Sequence, residues 1–255
     1  MTLPVLSFFA AMVLATSFIA GVFGMAGGMI LMGGLLLILP VPSAMVLHGI
    51  TQLTSNGSRA VLWARHIHWR LVARYGVGLL VAAVLFSLVS FVPNQSMVFI
   101  FLGFIPFIPA LVPHRHVPRA TSRGGAETCG FICTAMQFLA GVSGPTLDLF
   151  FVNTDIGRRA IVATKAACQV ITHVAKIVYF GAFLAASGAG QDIYTLPVIG
   201  AALGMAVLGT TLARPVLERL SDTNFRRYTR VILMTLGVIY MGIGLHGLWV
   251  GDAPA

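Results

Sequence analysis

The run Gly49-Ile-Thr-Gln-Leu-Thr-Ser-Asn-Gly-Ser-Arg59 lies inside an otherwise apolar segment. Gln52, Asn56 and Arg59 are spaced four and three residues apart, so they project from one face of a helix. The pattern returns as Gln169, His173 and Lys176, with Ser55 matched by Thr172. A cation beside amide and hydroxyl groups, present twice in apolar surroundings, reads as two halves of one polar site within a membrane.

Composition points the same way. Apolar residues make up 58% of the 255 and charged residues only 9%, with a mean hydropathy of +0.93. Soluble domains carry roughly a quarter of their residues as charged groups, so this chain is expected to be an all-α polytopic membrane protein. Net charge is +9, and only Lys165 and Lys176 among the 16 basic residues are not arginine. The arginines crowd into short loops, which the positive-inside rule explains without a nucleic-acid partner. Cys129, Cys133 and Cys168 are an odd set in apolar surroundings and read as packing residues. No cofactor or metal is expected. The opening Met-Thr-Leu-Pro-Val lacks a basic region and leads into a long apolar run, so it reads as mature structure rather than a signal peptide.

Apolar segments fall at about 6–39, 44–63, 71–92, 97–112, 128–152, 160–186, 196–216 and 231–250. Most approach the roughly 20 residues needed to cross a bilayer. Residues 1–112 form a first transmembrane repeat, 113–127 a basic cytoplasmic linker and 128–255 a second repeat. The loops with Arg65, Arg70 and Arg74, with Arg115, Arg119 and Arg123, and with Arg214 to Arg230 are expected on the cytoplasmic side. The turns at 92–96 and 187–193 lack basic residues, and the second carries Asp192, so both are expected outside. If every segment crossed fully, the Arg214–Arg230 loop would land outside. The conflict disappears if the fifth segment is a hairpin of two short halves broken at Gly141-Val-Ser-Gly-Pro145. The first segment, with its own glycine break, is then a similar hairpin.

Gly21-Val-Phe-Gly24 matches Gly141-Val-Ser-Gly144, and the Gln52 cluster follows it as the Gln169 cluster follows its own break. Loop charge runs in the opposite order in the two halves, as inverted-topology repeats of secondary transporters require.

Phe23-Gly-Met-Ala-Gly-Gly-Met-Ile-Leu31 resembles the glycine-rich first helix of the sulfite exporter TauE/SafE family, also called the 4-toluene sulfonate uptake permease family. Pro40, Pro42, Ala44, the polar run to Arg59 and the Arg65–Trp69 loop fit as well. So do Gly141 to Pro145, Ala160, Lys176 and Asn224-Phe-Arg-Arg227 in the second half. The resemblance implies transport of small anions such as sulfite or organosulfonates across the inner membrane.

An ionised side chain near the bilayer centre costs ~2.5–3.5 kcal/mol even on insertion scales, so such residues usually serve a pathway or a partner. Arg59 and Lys176 therefore read as a paired cationic site for a small anion, with snorkelling to the interface as the bland alternative for Arg59. Gln52, Asn56, Gln169 and His173 are candidate donors to an oxyanion, or else interhelical glue. The breaks at Gly27 and Gly28 and at Ser143 and Gly144 expose backbone N–H groups that attract negative charge, unless they serve only close packing. Asp148 is the one acid well inside an apolar segment. It is a candidate proton-coupling group or the ion-pair partner of Lys165 or Lys176. His66, His68, His114 and His116 read as interfacial.

Expected partners are the lipid bilayer, a small anion and, as coupling ions, protons; the oligomeric state stays open. Two rivals remain. An anion channel would use the same site without alternating access. An intramembrane serine hydrolase would use Ser143 in Gly141-Val-Ser-Gly144, with His173 or His246 as base.

Overall fold

The computed structural model describes residues 3–23, 25–112, 117–152, 154–188, 195–219 and 222–251. Gly24, His114, Arg115, His116 and Asp192 lie outside the described residues. Among those described the regular structure is helical, with no strand: α1 (Leu3–Phe23), α2 (Met25–Leu36), α3 (Val41–Leu62), α4 (Trp69–Val89), α5 (Gln95–Phe104), α6 (Ile108–Leu111), α7 (Gly125–Ala140), α8 (Gly144–Phe151), α9 (Arg158–Ser187), α10 (Leu196–Arg219) and α11 (Asp222–Val250). Short 3-10 turns sit at Ala64–His66 and Ile105–Phe107.

Within α1, α4, α9, α10 and α11 lie five stretches long and apolar enough to cross a membrane. Their outer faces expose Leu80, Val84, Leu88, Leu203, Val207 and Val238. Such apolar surface is tolerable only against lipid. The chain is a multi-pass membrane protein. The 22 residues of α3 are long enough to cross, but its polar stripe leaves it outside this apolar set.

Both glycine-containing segments are interrupted. The break of the fifth segment falls at Gly141–Ser143, between α7 and α8. The first segment splits into α1 and α2, but its arms are unequal: α1 has 21 residues, enough to span on its own, and α2 has 12. The apolar segment at 97–112 is helical as far as Leu111 but changes helix type along its length. Pro106 and Pro109 each lack a backbone N–H, so the chain passes through a 3-10 turn into the short α6. Asn94 caps α5 by accepting from Met97 N at 2.8 Å.

Helices meet where glycine lets backbones approach. A Cβ on Gly78 of α4 would sit 1.8 Å from Glu127 O, and one on Gly130 of α7 would sit 2.0 Å from Tyr75 O. With Arg74 on Glu127 before this contact and Phe86 against Phe138 after it, α4 and α7 run parallel. Likewise Gly209 of α10 abuts Leu14 O and Phe18 N, and Gly21 of α1 abuts Thr210 and Ala213, so α1 and α10 are parallel. The α5–α11 pair is antiparallel, with Gly103 against Gly237 and Met241, and Gly244 against Ser96 and Ile100. At the centre α3 crosses α9 antiparallel, with Gly49 against Ile177.

One end of the bundle gathers Arg74, Arg119 and Arg159. Arg74 pairs with Glu127 at 2.7 Å and donates to Ser122 O at 2.8 Å. Arg119 reaches Asp155 at 3.2 Å, and the Arg159 guanidinium lies 5.7 Å from the Trp63 ring centre. His68 N donates to Thr164 Oγ1 at 3.0 Å, and the His66 ring packs edge-on to Trp63. At the other end Gln95 Nε2 donates to Leu36 O at 2.6 Å, and Tyr179 OH to Phe91 O at 2.7 Å. Cys129 and Cys133 are buried neighbours on α7, with sulfurs 3.9 Å apart.

Candidate functional site

A cavity of about 280 Å³ lies between the two broken segments and the α3–α9 crossing. From α3 come His48, Gln52, Ser55, Asn56 and Arg59, and from α9 Lys165, Gln169 and His173. The second break supplies Gln137, Ser143, Gly144 and Asp148, and the first supplies Phe23 and Gly28. Thr229 of α11 completes the polar lining, and its buried hydroxyl has no hydrogen-bond partner among the described residues.

Arg59 points into this space rather than out to the loop beyond it. Its one hydrogen bond among the described residues, to Asn56 Oδ1, is long at 3.5 Å. A guanidinium carries five N–H donors, so most of its donor capacity is unspent among the described residues. Asn56 Nδ2 in turn donates to Gln52 O at 3.0 Å, which holds its oxygen toward Arg59.

The opposite wall is a closed set of hydrogen bonds around Gln137. Its Nε2 donates to Gly141 O at 3.0 Å and lies 2.9 Å from His173 Nδ1. Because a carbonyl only accepts, the amide orientation is set, and a neutral His173 must accept at Nδ1 and carry its proton on Nε2. Gln137 Oε1 accepts from Ser143 Oγ at 2.9 Å, and Ser143 Oγ accepts from Gln169 Nε2 at 3.3 Å. Ser143 therefore donates to an amide and not to a histidine, which leaves it without the base that a serine nucleophile needs.

Gly141 takes φ +74°, a left-handed conformation suited to glycine, and a Cβ there would meet Met32 Sδ of α2 at 2.6 Å. α8 then starts at Gly144 with Pro145 in its first turn, and no side chain caps it. By helix geometry its first N–H groups lack helical partners, and Gly144 lies on the cavity wall.

Lys176 is placed differently from Arg59. It is fully buried and absent from the cavity lining. Its Nζ lies 2.7 Å from His48 Nδ1 and donates to Gly141 O at 3.0 Å. His48 Nε2 donates to Gly28 O at 3.0 Å, so Nδ1 is the ring acceptor and the lysine the donor. A line of hydrogen bonds thus runs from Gly28 through His48 and Lys176 to Gly141, from one break to the other.

Asp148 forms an ion pair with Lys165 rather than Lys176. Gly27 also sits off the cavity: a Cβ there would lie 2.1 Å from Thr16 O, so it serves the packing of α2 on α1. Thr172 is likewise off the wall. Tyr75 OH and its Oγ1 are 2.7 Å apart, and that hydroxyl donates to Cys168 O at 2.8 Å.

Of the sequence candidates, Arg59, Gln52, Asn56, Gln169, His173, Gly28, Ser143, Gly144 and Asp148 meet on one wall set, while Lys176 and Gly27 do not. His48, Gln137, Thr229 and the cavity-facing role of Lys165 were missed. His48 was within reach, since it extends the stripe of Gln52 and Asn56 by one more turn. Gln137 and Thr229 carried no such signal.

Residues 8–240 match the protein-family model described as Sulfite exporter TauE/SafE. No curated protein and no solved structure matches the chain.

Proposed function

The chain belongs to the sulfite exporter TauE/SafE family, and from that premise we propose that it is a secondary transporter. It moves a small anion, sulfite or an organosulfonate or related organic acid, across the inner membrane. One observation carries this reading: Arg59 projects, with most of its donors unspent, into a polar cavity closed by two interrupted helices. Facing it are amides, the Nε2 of His173 and the uncapped start of α8, all able to donate to an oxyanion.

The helix pairing supports two inverted repeats, over 1–112 and 128–255. Exchanging α1–α5 for α7–α11 turns the α1–α10 contact into α4–α7 and maps α3–α9 and α5–α11 onto themselves. Inverted repeats supply a way to alternate access, by rocking one half against the other around a shared site. The α3–α9 crossing is the natural pivot, and the link from Gly28 to Gly141 is the contact that such rocking would strain.

Proteoliposome flux with sulfite, sulfonates and carboxylates, at set pH gradients, tests the proposal. Saturable flux of at least one anion, stimulated by the same anion on the far side, is the expected result. Absence of flux for every anion would refute it. Flux without such counter-stimulation, at rates beyond a carrier, would favour the channel.

A further inference from the structure

Among the described residues the cavity holds two cations, Arg59 and Lys165, and one carboxylate, Asp148. An acid on the wall of an anion site repels the ligand, so its presence calls for an account. We propose that Asp148 is a tethered competitor for the anion: it occupies Lys165 and thereby sets the charge of the anion that the cavity takes. This rests on the anion-transporter reading above.

Three observations carry it. The pair is not sealed like a structural ion pair in a core, since the Lys165 side chain is 27% exposed and that of Asp148 38%. Asp148 stands one turn beyond Gly144, on an eight-residue helix attached through the break at Gly141–Ser143. Helix position therefore puts the carboxylate on the same face as Gly144, and both line the cavity. Finally, the register that sets Gln52 on Gln169 sets His48 on Lys165, and the register that sets Gly21 on Gly141 sets Gly28 on Asp148. The first half makes the same contact in neutral form, His48 to the Gly28 carbonyl. Charge has been added on one side only, where Arg59 faces the cavity.

With the pair closed, Arg59 is the one uncompensated cation on the wall among the described residues, with Lys176 set behind His48 and bonded to it. The resting site suits a monoanion with a compact oxyanion head, such as a sulfonate. A dianion needs Lys165 as well, and Asp148 must first give it up.

Methanesulfonate and sulfate differ by one charge on similar tetrahedral heads, and neither titrates near neutral pH. Both would be titrated against the purified full chain, wild type and variants, in lipid nanodiscs. Wild type should prefer methanesulfonate. Asp148→Asn should shift the sulfate-to-methanesulfonate affinity ratio toward sulfate by about tenfold or more, roughly one charge contact. The double variant Asp148→Asn with Lys165→Gln should return the ratio to near wild type. An unchanged ratio in Asp148→Asn, or an equal fall for both anions, overturns the proposal. Should Asp148→Asn fail to fold, Lys165→Gln serves: it should lose both anions, sulfate more, and unchanged affinity there overturns the idea. A wild-type protein that binds and transports no anion at all would instead sink the transporter reading itself.

Discussion

Lys176 Nζ lies 2.7 Å from His48 Nδ1, where α3 and α9 cross at the centre of the bundle. The residues come from opposite halves of the chain, and the contact ties both helix breaks to the crossing. The lysine that the sequence paired with Arg59 is thus a link within the protein, and of these two cations only Arg59 faces the cavity.

The two residues should therefore fail differently when neutralised. Arg59→Gln should weaken anion binding by about ten- to a hundredfold, the range for a lost charged hydrogen bond, with little change in thermal midpoint. Lys176→Met leaves His48 Nδ1 buried without its donor, at about 1–3 kcal/mol, and takes one of two donors from Gly141 O, which keeps Gln137 Nε2. It should lower the midpoint clearly before any effect on binding is read. Anion titration and thermal unfolding of both variants in one detergent separate these outcomes. Equal behaviour in both assays would count against the division of roles.

Gly141→Ala meets two obstacles, the left-handed φ of +74° and Met32 Sδ at 2.6 Å. The first alone costs about 1–2 kcal/mol. Adding Met32→Ala should remove the steric part and leave the conformational part, so it should restore stability only partly. Full rescue in thermal unfolding would show that φ at this break is not the constraint.

Ser143→Ala removes a hydroxyl that bridges Gln137 and Gln169. Anion flux should persist, with affinity reduced by no more than about tenfold, in line with the ~0.5–1.5 kcal/mol net worth of a neutral hydrogen bond. Peptide cleavage by the wild-type protein that this variant abolishes would reopen the hydrolase reading.

Glu127 sits in the first turn of α7, ahead of its apolar run, and the hydrogen-bonded Arg74 guanidinium holds its carboxyl below the usual range. A carboxyl depressed on folding adds stability above its unfolded pKa and loses it as pH falls through the lower folded value. Wild type should therefore lose stability on the acid side in part through this tie. Glu127→Gln should flatten that loss while lowering stability near neutral pH. Parallel acid-side unfolding curves for the two proteins would exclude the contribution.

Much of the fold was legible because lipid imposes a coarse rule. Apolar runs of bilayer length, cut by arginine-rich loops, announce helices and their ends, and Gly141 with Pro145 marks a break by backbone chemistry alone. The hydropathy of the 97–112 segment marks an apolar helix, while its change to a 3-10 turn follows from Pro106 and Pro109. The site was half legible. A stripe at helical spacing reveals which residues share a face, hence Gln52, Asn56 and Arg59, and by one further turn His48.

What the amino-acid sequence determined by itself was the membrane class, the two glycine breaks and the polar stripes of α3 and α9. These follow from local periodicity and transfer energy. Which residue each stripe meets was decided by tertiary structure alone. Arg59 and Lys176 occupy matching positions, yet one faces a cavity and the other is sealed against His48 and Gly141. Asp148 likewise chose Lys165 over Lys176. The reason is physical: spacing along a helix sets direction about its own axis, whereas partners depend on how far apart two crossing helices stand and where along them they touch.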